Sequence, residues 1–164
     1  MKAKDIAYAA LFAALLTLGD VISFYNVQLV TTIMVVCAAY CGARVLLAAT
    51  GVYAVIDVVM GIGMYWALVP GWISAALTVV LVLHVFPRAY GVASGLSFLT
   101  FSLTDALLAH LVLGFPLIPY LVAGTFFVIR GVVSGFVLGA VLVRILLKRS
   151  KEACREEHFG SQSH

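Results

Sequence analysis

The run from Pro119 to Lys148 constrains this chain more than any other stretch. Between Tyr120 and Val143 its only charged residue is Arg130, and the run is long enough to cross a bilayer core, which takes ~20 residues. Arg130 stands about 14 residues before Arg144, so it lies on the order of 20 Å from the membrane edge that Arg144 marks. A guanidinium at that depth costs from about 2.5 to over 10 kcal/mol, so it must face protein, water or a ligand. Gly131, Gly135 and Gly139 follow in steps of one helical turn, a small-residue ridge that lets a second helix come close.

The rest of the chain agrees with a membrane setting. Its 164 residues are 64% hydrophobic and 10% charged, with a mean hydropathy of +1.15. A soluble domain of that size could not cover so much apolar surface. The sequence therefore predicts an all-α polytopic membrane protein with six transmembrane helices, which use about 120 residues at ~20 per span. These form one substrate-binding domain over residues 1–149, and residues 150–164 read as a polar, disordered cytoplasmic tail. The first apolar run is too long for a signal peptide, and no small-residue cleavage site follows it. The net charge of +3 does not imply nucleic acid, because the basic residues sit at span ends rather than in a patch.

The first span is expected from about Asp5 to Phe24, the second from Val27 to Gly42 and the third from Val45 to about Ile62. A connection from Gly63 to Gly71 leads to a fourth span, Trp72 to Phe86, and a fifth, Tyr90 to Leu113; the sixth starts at Pro119. This segmentation puts Lys2, Lys4, Arg44, Arg88, Arg144, Lys148, Arg149, Lys151 and Arg155 on one side. The positive-inside rule then places both termini in the cytoplasm.

Depth sorts the polar residues. Asp20, Asp57 and Asp105 each fall on the order of 20 Å from the cytoplasmic edge, at 1.5 Å per residue, and His110 lies a turn further out. Tyr25, Asn26, Tyr65, Trp66 and Tyr120 share that side. The functional reading is a ligand cavity open to the outside, with substrate-binding candidates Asp57, Asp105, His110, Arg130, Tyr25, Asn26, Tyr65, Trp66 and Tyr120. The structural reading has Arg130 paired with Asp105 or Asp57, and Tyr65 and Trp66 anchoring the interface. Three carboxylates against one guanidinium leave negative charge over. Either an Asp is protonated, or it lies at a wet mouth, as suits Asp20, or it meets a cation or hydroxyl-rich ligand.

No HExxH, Gly-x-Ser-x-Gly elbow or P-loop is present, so the chain does not read as an enzyme. Cys37, Cys41 and Cys154 form no CxxC pair and no His cluster accompanies them, so neither a metal site nor a cofactor is expected. Without a nucleotide site, uphill transport would need energy from a partner.

The chain resembles the substrate-binding S component of energy-coupling factor (ECF) vitamin transporters over nearly its whole length, up to about Arg149. The resemblance rests on size, the roughly six hydrophobic spans and the first-helix stripe of Ala3, Ala7, Ala10 and Ala14. It also rests on the run from Thr31 ending in Gly42-Ala43-Arg44, and on the Pro-Tyr-Leu-Val-Ala-Gly-Thr-Phe-Phe segment from Pro119. It implies a bacterial cell-membrane protein that binds a B-vitamin or precursor near the outer face. It also implies partners: a transmembrane coupling protein, contacted by the alanine stripe, and two cytoplasmic ATPases that use ATP. The outer aromatic residues favour stacking on a compact ring of pyridoxine or pyrimidine type, while Arg130 leaves a carboxylate ligand such as pantothenate open. Two other readings stand beside this one: a scaffold whose Asp and Arg residues only lock helices together, and a self-sufficient facilitator. Intramolecular packing is the competing use of the alanine stripe.

Overall fold

A computed structural model describes residues 1–23, 28–60 and 68–160. Its described residues form six helices and no strand: α1 (Ala3–Ser23), α2 (Val30–Cys41), α3 (Ala43–Met60), α4 (Leu68–Val85), α5 (Tyr90–Leu113) and α6 (Leu117–Gly160). Four carry stretches long and apolar enough to cross a membrane: Ala3–Ile22, Ala43–Met60, Tyr90–Leu113 and Gly124–Leu146. The stretch Val69–Val85 of α4 is shorter. α2, at 12 residues, is about 18 Å long, well short of a ~30 Å hydrocarbon core.

Local chemistry sets the ends. Asp5, in the first turn of α1, accepts the backbone N–H of Lys2 at 2.9 Å and so satisfies one of the donors a helix start leaves open. Gly114, at φ 73°, ends α5 in the left-handed conformation. Its N–H bonds His110 O at 3.2 Å, the single bond of an αL cap, and the Phe115 N–H bonds Ala109 O at 3.3 Å. α6 begins two residues before the expected Pro119; that proline sits in the first turn, where a missing N–H costs no hydrogen bond.

At its other end α6 runs on to Gly160 as one helix of 44 residues. The segment Lys151-Glu152-Ala153-Cys154-Arg155-Glu156-Glu157 is rich in good helix formers and follows directly on a helix already nucleated.

α2 is the hub. It packs against all five other helices, while α1, α3, α4, α5 and α6 are joined in that order around it. Among the described residues α1 and α6 do not touch, so the ring is open there. α2 has no charged residue, and Val30, Thr31, Thr32, Met34, Val35 and Cys37 are buried, as expected of a helix surrounded by others. Thr31 opens α2 and bonds Ser94, little more than a turn into α5. The start of α2 also packs against Gly19, four residues from the end of α1.

The glycine ridge is the seam between α5 and α6. A methyl group on Gly139 would lie 2.8 Å from both Tyr90 O and Ser94 Cβ, one on Gly135 would lie 3.1 Å from Ser94 Oγ, and one on Gly131 would enter the Phe98 ring. Only hydrogen at these positions allows the approach. A second seam, between α4 and α5, is hydroxyl-bonded: Ser74 to Thr104 at 3.1 Å and Thr78 to Thr100 at 3.0 Å.

Candidate functional site

Trp72, one turn into α4, stacks on Phe101 in the middle of α5, with centroids 4.0 Å apart. From that level α5 continues for another ~18 Å, so the α5–α6 hairpin extends roughly 12 Å beyond the start of α4. Asp105 and Tyr120 face each other across this hairpin, and the Tyr120 hydroxyl donates to Asp105 Oδ2 at 2.9 Å. Between the two helices lies a cavity of about 240 Å³. Phe101, Ser102, Asp105, Tyr120, Gly124 and Phe127 line it, with Ala106, Leu121 and Val128. Asp105 is the ionisable acid of this lining, and apolar and aromatic walls surround it. A few placed polar groups in an apolar cleft describe a small-molecule site in general.

Asp57 lies elsewhere. It is 3% exposed on α3, and Trp72 Nε1 donates to its Oδ2 at 3.1 Å. The Tyr53 ring meets Trp72 edge-on, with centroids 5.2 Å apart. Asp20 of α1 is close enough for its charge to interact with Tyr53 and Asp57. The Tyr53 hydroxyl approaches the Asp20 carboxyl, yet its geometry completes no hydrogen bond. Trp72 thus stands between two polar groups: its indole N–H serves Asp57, and its face covers Phe101, a wall of the Asp105 cavity.

The other expected site residues divide as follows. Tyr120 is at the cavity with Asp105. His110 is exposed, and its Nδ1 donates to Phe115 O at 2.8 Å, which fastens the turn after α5. Arg130 is half-buried with its guanidinium 5.4 Å from the Phe126 ring centroid. It lies about ten residues, or ~15 Å, along α6 from Tyr120 and does not line the cavity. Helices α3 and α6, which carry Asp57 and Arg130, do not pack directly on one another among the described residues. Tyr25, Asn26, Tyr65 and Trp66 lie outside the described residues. Phe101, Ser102, Gly124, Phe127, Tyr53 and Trp72 join the two polar regions without having been singled out. The one available signal was the spacing of Tyr53 and Asp57, four apart on one face of α3.

On α1 the alanines separate by face. Ala9 and Ala13 are buried beside Phe12 and Leu16, whereas Ala3, Ala7, Ala10 and Ala14 are exposed. The stripe is not used for packing within the described chain, where α1 meets only α2 and α3.

The chain matches no known family model, no curated protein and no solved structure.

Proposed function

We propose that this chain is the solute-capturing S component of an ECF-type vitamin transporter in a bacterial cell membrane. The observation that carries the reading is the Asp105–Tyr120 pair at the wall of a 240 Å³ cavity with aromatic sides. In this reading all six helices enter the bilayer and both termini are cytoplasmic. The gathering of basic residues at one set of turns supports that topology, because it puts the Asp105 end outside. The cavity then faces outward, and α2 closes the bundle beneath it. A B-vitamin or precursor with a compact ring stacks against Phe101 and Phe127, while Asp105 and Tyr120 bond its polar edge. A ring with a hydrogen-bond donor or positive charge fits this carboxylate better than a free carboxylate such as that of pantothenate.

The uncovered alanine stripe supports a membrane partner. Ala3, Ala7, Ala10 and Ala14 present a surface with little side chain to reorder, which allows close helix contact. A transmembrane coupling protein docks there, and two cytoplasmic ATPases supply the energy.

The test is competition binding of a vitamin panel to detergent-solubilised protein, with native mass spectrometry of the complex. Tight binding of one compound, weakened in Asp105→Asn while the helix content is kept, supports the reading. A protein that binds no member of the panel, or an Asp105→Asn variant that unfolds instead, favours a scaffold. Solute uptake into liposomes holding this chain alone identifies a facilitator.

A further inference from the structure

We infer that Asp57, with Tyr53 and Asp20, forms a binding site for a monovalent cation of sodium size. The inference does not depend on the solute-capture reading.

Asp57 Oδ1 is buried and has no hydrogen-bond partner, and the same is true of the Tyr53 hydroxyl. Both residues are almost fully enclosed, at 3% and 1% exposure. They occupy one face of α3, and a second carboxylate, Asp20, reaches the same neighbourhood from α1. Among the described residues the one hydrogen bond to Asp57 is from the Trp72 N–H at 3.1 Å, and Asp20 and Tyr53 stand near enough for their charges to interact with it. A single neutral donor does not compensate a buried charge, for which removal from water costs several kcal/mol.

Among the described residues the basic groups of α1, α3 and α4 stand far along their helices from this corner. Lys4 lies about 16 residues, or ~24 Å, from Asp20 along α1, and Arg44 lies ~20 Å from Asp57 along α3. On α4, His84 lies ~18 Å from Trp72. Arg130 belongs to α6, which touches neither α1 nor α3 among the described residues. The start of α4 contributes its helix dipole, typically 0.3–1 kcal/mol near a terminus, roughly a fraction of the deficit.

The ligand atoms select the ion. All are oxygens, which suit hard cations rather than soft metals. Calcium takes about 6–8 oxygens and magnesium holds a near-ideal octahedron with retained water, more than this enclosed corner offers. Among the residues whose burial is described, Asp57 is the fully buried carboxylate, while Asp20 is half-buried and in reach of solvent. One positive charge balances it. Thr50, also buried with an unpartnered hydroxyl, continues the polar face of α3 about two turns toward Arg44.

Trp72 makes the site readable, because its indole bonds Asp57 directly. In a Trp66→Phe background, which leaves Trp72 as the fluorophore, sodium replacing choline at constant ionic strength should give a saturable change in emission. Radioactive sodium should bind with matching saturation. Asp57→Asn keeps the shape and the acceptor for Trp72, and should weaken both responses by more than about tenfold. Tyr53→Phe removes one oxygen and should weaken sodium several-fold, which keeps the test open if Asp57→Asn fails to fold. The inference is overturned by an absence of saturable sodium binding, by a folded Asp57→Asn protein that binds sodium like the wild type, or by an emission change that follows pH alone.

Discussion

Trp72 Nε1 donates to Asp57 Oδ2 at 3.1 Å, tying the start of α4 to the end of α3 inside the apolar part of the bundle. Trp72→Phe removes the donor while keeping a ring against Phe101. Leaving a buried charged acceptor without a partner costs at least about 1–3 kcal/mol. The expected outcome is a clear fall in the midpoint of thermal unfolding in detergent, with a smaller fall for Asp57→Asn.

The cavity depends on one carboxylate and one phenol. A hydrogen bond to a charged group contributes about 1.5–3 kcal/mol, so Asp105→Asn should weaken capture of the solute by roughly 10- to 100-fold. Tyr120→Phe, which frees Asp105 Oδ2, should move affinity less than Asp105→Asn does. Isothermal titration with the compound that emerges from the vitamin panel measures both.

Glycines on α6 separate stability from binding. Gly139→Ala drives a methyl to within 2.8 Å of the Tyr90 carbonyl, which is backbone and cannot swing aside. Overpacking of this kind typically costs about 1–3 kcal/mol, and α5 and α6 should part. Gly124 has no neighbouring atom within 4 Å of such a methyl and lines the cavity. Gly124→Leu should leave the unfolding midpoint unchanged and reduce ligand binding.

The two alanine faces of α1 should behave oppositely. Ala13 is 1% exposed, so Ala13→Leu should destabilise the protein by about 1–3 kcal/mol. Ala10 is exposed, so Ala10→Leu should leave unfolding and solute binding unchanged. If a transmembrane coupling protein docks on this stripe as proposed, Ala10→Leu should lower their co-purification in a pull-down of co-expressed subunits.

Much of the helical layout was legible because charge and glycine mark it. Gly42 and Arg44 announce the α2–α3 turn, Pro87 and Arg88 the next, and Gly114 the one before α6. The ridge at Gly131, Gly135 and Gly139 foretold a close helix, and α5 provides it. Depth along the chain put Asp57, Asp105 and Arg130 at similar heights, but height says nothing about azimuth. Which helix stands beside which is decided by packing, and Arg130 is not among the residues that line the cavity with Asp105. Trp72 was read as the first residue of a span; a lone aromatic at a helix start looks the same whether it faces lipid or a buried carboxylate. The second span already read as brief, from Val27 to Gly42 between Asn26 and Arg44, and α2 is shorter still at 12 residues.

That shortness has a mechanical outcome. A stub of about 18 Å wedged among five longer neighbours works as a pin that every one of them grips. Any displacement of that pin would drag on every helix it touches, so the bundle moves as one body or not at all.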